Sequence, residues 1–203
     1  MARCHALGRS ALIVDHRGSG ESDGGMVTFG ILERLDCRTW VDFIVKNINS
    51  NAKIILTGIS MGASTVMLAA SQPMPPNVVG VLADCGYTSA RAIIQKVMRD
   101  MKLPAPLLYP LVKLGARIYG KFDPDEDSSI ESMRRCQLPV FFIHGDTDDF
   151  VPYSMSEENF AACASPHKRL VRIHGAGHGL AFPVDQETYL RELGDFFEPF
   201  LKS

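Results

Sequence analysis

Five short apolar runs, most of them rich in β-branched residues, recur along this chain. Stretches whose apolar residues repeat at helical spacing separate them. The runs are Ala11-Leu12-Ile13-Val14-Asp15, Lys53–Thr57, Val78–Ala83, Pro139–Ile143 and Arg169–Ile173. Between and after them, Cys37, Trp40, Val41, Ile44, Val45 and Ile48 stripe one helix, and Met61 to Ser71 forms the next. Ala90, Ile93, Ile94, Val97, Met98 and Met101 stripe a third, Met155 to Cys163 a fourth, and Tyr189, Leu193, Phe196, Phe197 and Phe200 the last. Continuous apolar strands alternating with amphipathic helices predict an α/β fold: a predominantly parallel sheet flanked by helices on both faces. At 203 residues the chain reads as a single domain, 1–203. Residues 101–132 fit no simple connection, because they carry Pro104, Pro106, Pro110 and an acidic turn. They predict a short helical cap inserted over one end of the sheet.

Composition narrows the function classes. Lys+Arg 21 against Asp+Glu 23 gives a formal net charge of −2, so nothing draws the chain as a whole to nucleic acid or to an anionic membrane. Five scattered cysteines without a CxxC pair argue against a disulfide framework and structural zinc. Residues 1–8 lack an apolar run of signal-peptide length, and charges and prolines interrupt the apolar stretch Leu103–Tyr119 before it could span a membrane. The expectation is a reduced, soluble, cytoplasmic protein without a membrane span.

Gly58-Ile59-Ser60-Met61-Gly62 lies directly between a predicted strand and a predicted helix. Glycines there let two backbones approach on a sharp turn, so that the serine hydroxyl projects. The competing reading is a tight turn whose serine caps the helix. A serine hydroxyl becomes a strong nucleophile only when a base takes its proton and an acid orients that base. Both types of residue follow later strands: His144-Gly145-Asp146-Thr147-Asp148-Asp149-Phe150-Val151-Pro152 and His174-Gly175-Ala176-Gly177-His178-Gly179. Open α/β sheets build their sites at these carboxyl ends.

Together with Asp15-His16-Arg17-Gly18-Ser19-Gly20-Glu21-Ser22, these segments resemble the α/β-hydrolase superfamily. Within it they resemble the group of serine aminopeptidase S33-like, or BEM46/ABHD-type, serine hydrolases. The resemblance implies Ser60 as nucleophile, Asp148 as acid, His178 as base and the Met61 N–H as one oxyanion donor, with no metal or organic cofactor. Asp146 and Asp149 are alternative acids that could instead cap a helix or brace the turn. Asp84 is a rival acid whose plainer role is a turn or cap residue. His5, His16, His144, His167 and His174 read as turn or surface residues, Asp15 and Arg17 as loop stitching, and Cys85 as packing. Leu107, Leu108, Leu111, Leu114 and Tyr119 suit an apolar acyl pocket or the packing of the cap.

The resemblance also implies strands ahead of Asp15 and a loop giving a second oxyanion donor. This sequence therefore reads as N-terminally truncated, with the Ala11–Asp15 and Lys53–Thr57 strands either paired directly or separated by a slot. The expected activity is carboxylesterase-like cleavage of an ester, thioester or amide through an acyl-enzyme. Its substrate would be a small acyl compound or a short peptide. The alternatives are a non-catalytic or impaired binding protein lacking its oxyanion loop, and a homo-oligomer joined through an exposed sheet edge.

Overall fold

The computed structural model describes residue 4 and residues 6–202; the reading of His5 lies outside the described residues. Helix α1 (Glu33–Phe43) runs on into a π-helical turn, Ile44–Ile48. The chain then alternates β1 (Ile54–Ile59), α2 (Met61–Ala70), β2 (Val78–Asp84) and α3 (Ala90–Asp100). Helices α4 (Ala105–Gly115) and α5 (Ser129–Arg135) lead to β3 (Val140–Gly145). Helix α6 (Tyr153–Ala162), strand β4 (Lys168–Ile173), the short α7 (Ala181–Val184) and α8 (Gln186–Lys202) complete it.

The four strands form one parallel sheet in the order β1-β2-β3-β4. Alternation along the buried strands divides the core between two faces. Val81, Ala83, Val140 and Phe142 pack with Cys37, Val41, Met67 and Met133 from the helices of one face. Leu82, Phe141 and Ile143 pack with Tyr189, Leu193, Phe196 and Phe197 of α8 on the other. This is the expected parallel sheet covered on both sides.

One predicted strand is absent. Residues 11–16 are coil, with Leu12 and Ile13 facing solvent. A strand exists only through ladder partners, and here none is within reach. A cleft of about 700 Å³ separates Ser10–Val14 from Ile54–Thr57, lined chiefly by apolar side chains that include Val41, Ile44, Val66 and Leu82. The two segments therefore leave a slot rather than pairing directly.

The loop before α1 is fixed by Glu33, which is wholly buried. Its carboxylate accepts from the Thr28 backbone N–H at 2.6 Å, the Thr28 hydroxyl at 2.5 Å and the Gly30 N–H at 2.9 Å. Phe29, held at φ 56 between those anchors, accepts a hydrogen bond from the Tyr87 hydroxyl at 3.0 Å. Arg17 grips Asp36 on α1, and the Asp15 carboxylate accepts from the Glu21 N–H, so both residues stitch loops.

Residues 101–132 contain α4, a π-helical turn at Ala116–Gly120, and the start of α5. Asp125 ties α4 to α3, accepting from Arg91 at 2.9 Å, the Tyr109 hydroxyl at 2.6 Å and Lys113 at 2.6 Å. The outward leucines correct one expectation. Leu107, Leu111, Leu114 and Tyr119 neither line an enclosed pocket nor pack the excursion, but face solvent, because Ala105 and Tyr109 occupy the buried side of the helix.

Candidate active site

Ser60 occupies the step from β1 to α2 at φ 55, ψ −118. For a residue with a Cβ this conformation is strained by about 1–3 kcal/mol. It is held by the Ser60 N–H donating to the Asp84 carbonyl at 2.8 Å and by the Ser64 N–H donating to the Ser60 carbonyl at 3.1 Å. Gly58 is required by contact, since a Cβ there would lie 2.1 Å from the Gly62 carbonyl carbon and oxygen. Gly62 is not required in that sense, since a Cβ there meets nothing within 4 Å.

Three predicted residues meet in one hydrogen-bonded line. His178 Nε2 lies 2.9 Å from Ser60 Oγ, and His178 Nδ1 lies 2.8 Å from Asp148 Oδ2. The Asp148 side chain is fully shielded from solvent, whereas His178 keeps one edge open. Burial opposes the Asp148 charge. Hydrogen bonds from His144, His178 and the Val151 N–H outweigh it and hold the carboxyl below the usual carboxylate range. The Phe150 ring packs edge-on against His178 at 4.9 Å. Ile59 and Leu180, both partly exposed, stand beside Ser60 and Gly179 in the chain, and with Phe150 they give the site apolar surroundings. Met61, whose N–H is read as an oxyanion donor, is the first residue of α2.

Of the neighbouring acids, the carboxylates of Asp146 and Asp84 are bonded elsewhere. Asp146 braces the opposite loop, bonding His174 Nδ1 at 2.7 Å and accepting from the Gly175 N–H at 2.8 Å. Asp149 offers its backbone carbonyl to Lys96. Asp84 is not a turn or cap residue. It is the buried last residue of β2, and its Oδ2 accepts from the Tyr189 hydroxyl at 3.0 Å.

Reading His144 as a turn or surface residue was wrong. It is wholly buried in β3, with Nδ1 2.7 Å from Ser156 Oγ and Nε2 3.0 Å from both Asp148 Oδ2 and the Val151 carbonyl. The available signal was its place inside a continuous apolar strand, where a histidine must find partners. Glu33 was likewise missed.

Among the described residues, Cys85, Asp148 and His178 form one group whose potential ligand atoms all lie within 4.8 Å of one another. Burial pushes the Cys85 thiol up to about 12, so it is a protonated thiol at neutral pH, and Asp148 and His178 already bond each other. The set fits a packing cysteine beside a hydrogen-bonded pair better than a metal centre.

With this geometry in view, the comparisons are specific. The family model described as Serine aminopeptidase, S33 matches residues 1–125, more than half of the chain. The chain belongs to this family. Protein YqkD of Bacillus subtilis is 26% identical to this S33 chain over 193 residues, which are 95% of the chain and 63% of YqkD. Protein bem46 of Schizosaccharomyces pombe is 26% identical over 166 residues, covering 81% of the chain and 50% of that protein. The S33 chain thus spans about half to two thirds of the length of these relatives. Among solved structures, the Pyrococcus furiosus esterase Pf2001 superposes with a TM-score of 0.71 at 23% identity, covering 92% of this chain and 69% of that one. Mouse alpha/beta hydrolase domain-containing protein 10 superposes with a TM-score of 0.65 at 20% identity, covering 98% and 81%. The fold is that of an α/β hydrolase.

Proposed function

We propose that this chain carries the active site of a serine hydrolase that cleaves esters of apolar acyl groups through an acyl-enzyme. The observation that carries this reading is the unbroken line Ser60 Oγ–His178 Nε2 and His178 Nδ1–Asp148 Oδ2, at 2.9 and 2.8 Å, with the serine on a strained strand-to-helix turn. Ser60 Oγ attacks the carbonyl carbon while its proton passes to His178 Nε2. Asp148 keeps Nδ1 protonated and balances the imidazolium that forms. The carbonyl oxygen takes the negative charge, and the Met61 N–H at the start of α2 donates to it. Collapse breaks the ester bond, and His178 returns the proton to the leaving alkoxide. Water then repeats the sequence: His178 removes its proton, hydroxide attacks the acyl-serine, and the carboxylic acid leaves as Ser60 is reprotonated.

Ile59, Phe150 and Leu180 around the serine favour an apolar acyl group over a charged amino terminus. The esterase Pf2001 among the structural neighbours points the same way. Fluorophosphonate labelling of the chain beside Ser60→Ala and His178→Ala tests the reading. Labelling lost in both variants supports it. Absence of labelling in a chain shown to be folded by circular dichroism overturns it in favour of a binding protein.

A further inference from the structure

We propose that the outward face of α4 docks on an anionic lipid surface, so that the chain works against a membrane without crossing it. Leu107, Leu111, Leu114 and Ile118 recur at steps of four, three and four, which places them on one line along α4 and its π-helical continuation. All four face solvent: Leu107 is 72% exposed and Leu111 63%. Tyr119, at 80%, Met101 and Leu103 are also exposed, near the two ends of the line. The helix is apolar on its buried side too, through Ala105 and Tyr109, so its outer stripe is not the polar face that a surface helix normally presents. An exposed apolar surface of this continuity marks a partner.

Charge identifies the partner. No acidic residue occurs from Met101 to Phe122. Lys113 and Arg117 lie to one side and are paired with Asp123 and Asp125. Arg99 and Lys102 stand before the stripe and Lys121 after it; all three are exposed, and none forms an ion pair among the described residues. Acids do flank the stripe, but Asp100, Asp123, Asp125, Glu126 and Asp127 are each already paired within their own chain, so two copies meeting through this face would offer the three cations no free acid. An anionic bilayer instead receives the leucines in its apolar boundary and the cations among its headgroups. Among the described residues no helix is long and apolar enough to cross a membrane, so this contact lies in the plane of the interface.

Sedimentation with vesicles of phosphatidylcholine, alone or mixed with phosphatidylglycerol, tests the docking. Each cation near an anionic surface contributes about 1 kcal/mol, so three predict a preference for the mixed vesicles on the order of a hundredfold, shrinking with added salt. Leu107→Ser/Leu111→Ser/Leu114→Ser should abolish binding. Lys102→Asn/Lys121→Asn should erase most of the preference, and asparagine tolerates the positive φ of 58 and 57 at those positions. No binding by the folded chain, equal binding to both vesicles, or binding untouched by the leucine variant overturns the proposal. So does a concentration-dependent dimer that the leucine variant dissolves in the absence of vesicle binding. The readout is binding alone, so failure of fluorophosphonate labelling leaves it standing.

Discussion

His144 donates from Nε2 to Asp148 Oδ2 at 3.0 Å, and neither side chain touches solvent. The same carboxylate oxygen lies 2.8 Å from His178 Nδ1, so two imidazoles share one acceptor. The other oxygen near His144 Nε2 is the Val151 carbonyl, which cannot donate, so the proton sits on Nε2. In the proposed mechanism His144 is thus a positioning residue. It fixes Asp148 and withdraws part of its charge from His178.

Removing that donor should strengthen the pull of Asp148 on the His178 proton. In His144→Leu the acid limb of the kcat/KM profile should move to higher pH, by roughly one unit or less. Activity at neutral pH should fall about tenfold, the worth of one charge-assisted hydrogen bond. His144→Asn, which keeps an N–H, should recover most of the limb's position. A variant that lost activity with its limb unmoved would show a purely structural role.

How much of this was legible in the sequence depended on what each residue's role required. The runs Val78–Ala83 and Pro139–Ile143 read as strands because a strand buried on both faces is apolar throughout, and both lie inside the sheet. Ala11–Val14 has the same character but forms no strand, because a ladder needs a neighbour and no pattern within the run reveals one. Ser60 and His178 stood out by their glycine-flanked turns. The choice of Asp148 among three adjacent acids rested on family resemblance. The place of His144 at the end of an apolar run signalled burial, but nothing in the chain named Ser156 and Asp148 as the partners that give it its role. The outward turn of Leu107 and Leu111 was hidden too, since periodicity shows that residues share a face but not which way it points.

The two glycines of the elbow should respond differently. Gly58→Ala places a Cβ against the Gly62 backbone, which cannot move without breaking the turn, and should cost about 3 kcal/mol or more together with all fluorophosphonate labelling. Gly62→Ala meets open space in the first turn of α2, where alanine is the better helix former. Its melting temperature should hold or rise, with a gain of up to about 1 kcal/mol. Thermal melts of both variants decide it.

The Asp125 tether predicts a pH dependence. Burial opposes its charge, but Arg91, Lys113 and the Tyr109 hydroxyl hold its carboxyl well below the ordinary carboxylate range. A depressed folded-state pKa contributes stability above the unfolded value of about 4, and the contribution fades as pH falls through the folded value. Asp125→Asn should therefore cost about 1 kcal/mol at neutral pH, discounted because Arg91 is half exposed. The difference from the parent should shrink steadily below about pH 4. A gap between the two melting curves that stayed constant down to pH 2 would refute the assignment.

The last prediction concerns the open side of β1. The Ile54 N–H donates to the Asn77 carbonyl and the Ser60 N–H to the Asp84 carbonyl, so the even-numbered amides of this strand point toward β2. Alternation then turns the amides of Ile55, Thr57 and Ile59 to the open side of β1, where the cleft facing Ser10–Val14 runs along Ile54–Thr57. Those three should exchange with deuterium at least tenfold faster than Leu56 and Gly58 between them, because water reaches them without the sheet opening. Residue-resolved exchange by NMR reads this directly. If copies of the chain pair through this edge, the three amides gain protection as concentration rises; if it stays open, the alternation is the same at every concentration. Uniform protection along β1 in dilute solution would mean that the cleft is closed from within the chain.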